Sequence, residues 1–216
     1  MTSARTPRRR LRWWWIALAL LAVVIVLVAI VAVPILTHED QGQSTQVEPT
    51  VEWPLSVTAE GDDGRTRSFT VAASSGGPVD TSSLAAGDHV IISGTGYDSA
   101  RGIYVAICKI PASSDIKPGP CLGGVPEGGE QDVADGTIQY AASNWINDDW
   151  AWKLFGSRGY DDAAAGTFTA YLEVGQPTED ALDCTVDACG IFTRNDHTAL
   201  NDRVQDLYVP VGFASN

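Results

Sequence analysis

Apolar and polar positions divide this chain into two unlike parts. Ile16 to Leu36 is an unbroken apolar run without a charged residue. Trp13, Trp14 and Trp15 precede it, after a stub carrying Arg5, Arg8, Arg9, Arg10 and Arg12. A helix needs about 20 apolar residues to cross roughly 30 Å of hydrocarbon, so residues 13–36 are predicted as a transmembrane helix. Arginines mark the cytoplasmic flank and tryptophans suit the headgroup interface. Residues 1–12 then form a basic cytoplasmic stub, and everything from Thr37 onward is extracytoplasmic. A secretory signal peptide also starts basic, but its apolar stretch is about 7–15 residues and ends in a small-x-small cleavage site. Here the run is longer and closes on Val33-Pro34-Ile35-Leu36-Thr37 without Ala-x-Ala. Those features favour an uncleaved, single-pass signal-anchor in the cell membrane.

Beyond the helix the rhythm changes. Residues 37–50 are polar, with almost nothing to bury, and are predicted as a flexible stalk. From residue 51 to 216 the pattern is period two, broken by Gly, Asp and Pro. Trp53 to Glu60 and Arg67 to Ala73 flank Gly61-Asp62-Asp63-Gly64 as a hairpin. His89 to Ser93 and Gly102 to Cys108 read as core strands, joined through Gly94 to Asp98. Thr167 to Val174, Cys189 to Arg194 and Asp206 to Phe213 supply further strands. No segment past the anchor carries a long 3.6-residue apolar period. Short strands with turn signals every 8–12 residues predict an all-β, immunoglobulin-like antiparallel sandwich.

Charge sharpens this division. Residues 37–216 hold nine Lys+Arg against all 27 Asp+Glu, a net charge of −18. Such a surface repels phosphate backbones and argues against nucleic acid as a partner. The four cysteines, Cys108, Cys121, Cys184 and Cys189, all lie past the anchor. An even number in an oxidising compartment reads as disulfides. Three pairings are open; the entropy of loop closure favours the local ones.

One stretch breaks the strand rhythm. Residues 123–162 are rich in Gly and acid and hold Trp145, Trp150, Trp152, Phe155 and Tyr160. Long connections inside compact domains are uncommon and often functional. Tryptophan and tyrosine are enriched at interface hot spots, so these five are the candidate partner-binding residues, with packing onto the domain as the alternative. Catalytic chemistry is poorly signalled. There is no Gly-x-Ser-x-Gly elbow, and Gly94-x-Gly96 lacks the third glycine of a phosphate loop. The histidines are His38, His89 and His197. His197, within Arg194-Asn195-Asp196-His197-Thr198 and followed by Asp202 and Asp206, is weighed as a metal or acid–base cluster against a turn-and-capping role for the Asx and Thr side chains, and the capping role is preferred. Asp148-Asp149 and Asp132-x-x-Asp135 lack calcium-loop spacing. No catalytic residue, metal or cofactor is therefore assigned.

Several segments together resemble the neocarzinostatin family of actinobacterial apoproteins: Val90 to Gly96, Tyr104 to Cys108, Cys121, Gly166 to Val174, and Asp183-Cys184-Thr185-Val186-Asp187-Ala188-Cys189. The resemblance spans residues 88–213, interrupted by the Trp-rich insert. It implies a seven-stranded immunoglobulin-like sandwich and the disulfides Cys108–Cys121 and Cys184–Cys189. It also implies a cleft beside those disulfides, which in the family holds an enediyne chromophore. The family's pocket tryptophan aligns with Ile110 and its glutamine after the last cysteine with Gly190, so a stacking surface and a polar handle are replaced. Ile110 and Gly190 are the ligand-cleft candidates.

The expectation is a membrane-anchored, extracytoplasmic, non-catalytic binding module, an accessory or interaction subunit of a membrane or cell-envelope assembly. Its partners would be a membrane or envelope protein and, through residues 13–36, the lipid bilayer. The alternative is a carrier or sequestering protein for a small hydrophobic ligand. An envelope hydrolase ranks third.

Overall fold

The structure, a computed structural model, describes residues 8–124, 138–179 and 181–214. The chain divides into two compact units, Met1–His38 and Glu39–Asn216. The first is the helix α1 (Arg8–Leu36), with Pro34 in its last turn. Its segment Trp13–Leu36, 24 residues, is long and apolar enough to cross a membrane.

The second unit is built of antiparallel strands. One sheet has the order β1-β2-β3-β6: β1 (Ser56–Glu60), β2 (Thr66–Ala73), β3 (His89–Thr95) and β6 (Phe168–Glu173). The other runs β10-β9-β4-β5: β10 (Leu207–Val211), β9 (Cys189–Asn195), β4 (Ile103–Lys109) and β5 (Ser143–Ile146). A ribbon of β7 (Thr178–Glu179) and β8 (Leu182–Asp183) follows β6. Register puts the apolar alternates opposite one another, Val71 beside Ile92 and Ile92 beside Ala170 in the first sheet. In the second, Ile107 faces Ile191, and Ile191 faces Val209. These inward side chains form one buried cluster together with Phe69, Phe168 and Leu172. Both disulfides are local, Cys108–Cys121 and Cys184–Cys189.

Three sequence expectations are modified. First, the strand predicted from Trp53 begins only at Ser56, because Pro54 cannot donate to a ladder. Second, the Trp-rich insert is not one long excursion. Its residues 143–146 form β5, pairing Trp145 with Tyr104 and Ile146 with Ile103. All four are buried, so the segment lacks the alternation by which strands are read.

Third, the stalk predicted over residues 37–50 is not free throughout. Arg203 N donates to Gly42 O at 2.9 Å and Ser44 N to Arg203 O at 3.0 Å. Thr45 N donates to Glu60 O at 2.8 Å, and Asp62 N to Gln43 O at 2.9 Å. Gln46 binds both backbone groups of Tyr208, its Nε2 donating to the carbonyl and its Oε1 accepting from the N–H, each at 2.8 Å. The folded unit therefore begins before residue 51. Edge strands β1 and β10 leave backbone donors and acceptors to satisfy, and polar residues answer that need as well as they suit a linker. On the β6 edge Asn144 does the same for Tyr171, with bonds of 2.8 and 3.1 Å.

Candidate functional site

After β5 the chain makes a compact turn. Asp149 caps the one-turn helix α2 (Trp150–Lys153), its Oδ1 accepting from Ala151 N at 2.9 Å. The chain then comes back beside its own entry in a parallel bridge, with Asn147 N bonded to Arg158 O at 2.7 Å and Arg158 N to Trp145 O at 2.9 Å. This turn divides the five aromatic candidates. Trp145 and Tyr160 are each 8 % exposed and act as core. Tyr160 donates its hydroxyl to Arg101 O at 3.0 Å, and burial holds that phenol well above its ordinary pKa. Trp152 is half-buried against Trp145, ring centroids 5.8 Å apart. Trp150 and Phe155 are 57 % and 60 % exposed, and Leu154 between them is 74 % exposed.

Asp196 is the keystone beneath this turn. It is fully buried, and its Oδ2 accepts from Trp145 Nε1 and Asn147 Nδ2, each at 2.8 Å. Its Oδ1 accepts from Thr198 N and Thr198 Oγ1 at 2.8 and 2.6 Å, which caps the 3-10 turn His197–Ala199. Gly102 crosses so close that a Cβ there would lie 1.9 Å from Asp196 Oδ2. His197 packs edge-on against Trp152, centroids 4.6 Å apart, and its Nδ1 lies 2.9 Å from the Tyr104 hydroxyl. Burial pushes the Tyr104 phenol up to about 12, with the Asp196 charge adding to the effect. His197 thus serves packing and Asp196 capping. Asp202 caps Val204 N instead of joining His197, and Asp206 pairs with Arg203.

A second feature lies on the outer face of the β10-β9-β4-β5 sheet. A cleft of about 340 Å³ is lined by Ile110, Pro111, Ile116, Phe192 and Tyr208, with Ser44, Gln46 and Glu48 contributing from the docked N-terminal segment. Phe192 and Tyr208 stack with centroids 5.0 Å apart. Gly190 does not line the cleft but permits this stack, since a Cβ there would come within 3.2 Å of Tyr208 Cδ2. Asp206 also lines the cleft; burial raises its carboxyl to about 7, against the opposing pull of Arg203.

Among the described residues no group of three His, Cys, Asp or Glu side chains is placed to hold a metal. Asp148 pairs with Lys153 at 3.1 Å and Asp149 is spent on its cap. The Asp132/Asp135 pair lies outside the described residues. His89 stacks on Tyr140, centroids 4.0 Å apart, and approaches Glu173 at 3.7 Å. The capping role expected for Asx and Thr side chains in residues 194–198 falls to Asp196 and Thr198, but strand alternation gave no sign of the Asp196 bonds to Trp145 and Asn147 or of the cleft wall at residues 110–118, because both arise from contacts between distant segments.

No protein-family model matches the chain, and comparison with curated proteins and with solved structures gives no significant match.

Proposed function

We propose that this chain is a membrane-anchored, extracytoplasmic binding module. In this reading α1 is a signal-anchor with its arginines on the cytoplasmic side. The domain beyond it is an immunoglobulin-like β-sandwich related to the neocarzinostatin family, without catalytic duty. The observation that carries the function is the turn presenting Trp150, Leu154 and Phe155 to solvent on a capped, hydrogen-bonded base. Exposed singly, such side chains mean little; three on one short turn offer a hot spot for a membrane or cell-envelope protein. Burying each would contribute on the order of 1.5–3 kcal/mol.

The test is a pull-down of tagged full-length protein from native membranes in mild detergent. Trp150→Ala with Phe155→Ala should leave unfolding unchanged and remove a stoichiometric partner, since neither side chain is core. Identical co-purifying proteins from wild type and variant would end the interface reading. Trp152 is left intact because it supports Trp145.

A second reading, carriage of a small hydrophobic ligand, is favoured by the cleft at Ile110. It predicts a small molecule retained by the purified protein in native mass spectrometry.

A further inference from the structure

The cleft has three sides, and they are not held alike. Its floor, Phe192 and Tyr208, belongs to β9 and β10. The wall from Ile110 to Pro118 is fixed at both ends. The Cys108–Cys121 disulfide closes that loop, Ile110 N donates to Ala188 O at 2.8 Å, and Arg194 donates to Pro118 O at 2.9 Å. The third side is Ser44, Gln46 and Glu48, from the segment that joins α1 to the strands. Residues 42–48 contribute no side chain to either buried apolar cluster. Ser44 alone among them is buried, and Val47, their one large hydrophobic side chain, is 79 % exposed. What holds them is polar: the backbone bonds to Arg203, Glu60 and Asp62, the Gln46 pair on Tyr208, and Gln43 N donating to Asp62 Oδ2 at 2.8 Å. Ser114 Oγ donates to Gln43 Oε1 at 2.7 Å, an exposed bond that fastens this segment to the opposite wall.

Polar bonds made at the surface contribute little net free energy, because water offers the same partners once they open. Segments with few buried apolar contacts and exposed backbone bonds are the ones that open locally while the core stays folded. Undocking residues 42–48 would leave both four-stranded sheets and both disulfides in place. It would unmake one whole side of the cleft and uncover Phe192 and Tyr208. We propose that residues 42–48 are a strap that gates the cleft, opening as a unit to let a small hydrophobic ligand pass and closing over it. Ligand binding and strap docking are then linked: a ligand seated against Ser44 and Gln46 stabilises the docked strap, and undocking the strap releases the ligand. The gate rests on the carrier reading of the cleft and adds its regulation.

The test uses full-length protein in phosphatidylcholine nanodiscs, with empty discs as control. Hydrogen exchange read by mass spectrometry follows residues 42–48 beside β4 and β9. Strap amides should exchange roughly a hundredfold faster than those of β9, by an opening that leaves the strands protected. Ser114→Ala and Gln46→Ala, both outside the core, should each speed the strap several-fold and leave β4 and β9 unchanged. Strap amides that exchange only as fast as β9, or variants that leave the strap unchanged, overturn the gate. Calorimetry with 2-naphthol, an uncharged bicyclic probe, brings in the ligand. At saturation it should slow strap exchange several-fold without altering β4 or β9. Binding heat without any slowing of the strap overturns the gate and leaves the carrier reading standing. No heat above that of empty discs up to millimolar concentration removes the carrier reading, and the gate with it.

Discussion

Asp196 offers the sharpest test of how the aromatic turn is held. One buried carboxylate serves four donors: two side-chain N–H groups on Oδ2, and a backbone N–H and a hydroxyl on Oδ1. Asn is nearly the same size but brings only one acceptor oxygen. With that oxygen at the Oδ2 position, Trp145 and Asn147 keep their acceptor and Thr198 Oγ1 rotates to accept. Thr198 N then faces an amide N–H and loses its cap. In the opposite orientation two buried side-chain donors are stranded, which is worse. Asp196→Asn should therefore forfeit one bond to a charged acceptor, about 2 kcal/mol. Asp196→Ala removes every acceptor and leaves the Trp145 and Asn147 donors buried and unpaired, so its cost should reach at least about 4 kcal/mol. Urea unfolding of the full-length protein in detergent, followed by tryptophan fluorescence, measures both. Trp145 and Trp152 report on the site directly. Equal losses for the two variants, or a loss below about 1 kcal/mol for Asp196→Ala, would refute the reasoning, because the donors would then have found other partners.

Two further predictions concern the domain as a whole. Asp206 has its folded pKa raised from 3.8 to about 7, chiefly by burial. Between those values the folded form keeps a proton that the unfolded form has lost, so stability should fall as pH rises from about 4 through 7, by at most about 4 kcal/mol. Asp206→Asn should flatten that slope in denaturation curves taken across the range; an unaltered slope would contradict the assignment. The disulfides close loops of 13 and 5 residues, which by loop-closure entropy are worth about 3 and about 2 kcal/mol. Replacing Cys108 and Cys121 with serine should therefore lower the urea midpoint more than replacing Cys184 and Cys189, and the reverse order would point to native-state effects beyond chain entropy.

Seven of the strands lay open in the sequence: five because one face is dry and the other wetter, and β4 and β9, buried on both faces, as longer apolar runs bounded by turn signals. Phe69 and Val71 alternate with polar or exposed neighbours in β2, and Val90 and Ile92 do so in β3. β5 was hidden because it shows neither signal: Ser143, Asn144, Trp145 and Ile146 are buried without alternation, and the run is only four residues long and half polar. The two-residue strands β7 and β8 are too short to show any period. At the aromatic turn, composition marked the five residues as a group but could not divide them. That division depends on Asp196, 51 residues from Trp145 along the chain. The docking of residues 42–46 was equally invisible, since a glutamine satisfied by water and one satisfied by Tyr208 look alike in sequence.

The two carboxamides at the sheet edges bear on how this protein tolerates crowding. Gln46 bonds both outward backbone groups of Tyr208 on β10, and Asn144 both of Tyr171 on β6, whose carbonyl also accepts from Ala141 N. An unpaired strand edge is a template for a neighbouring chain, and the hazard grows with concentration. Copies confined to a bilayer surface would meet far more often than the same number free in solution. Two side chains that mimic a strand close those positions without adding one. If the domain is held on a membrane as proposed, a row of copies could stand side by side without their sheets fusing.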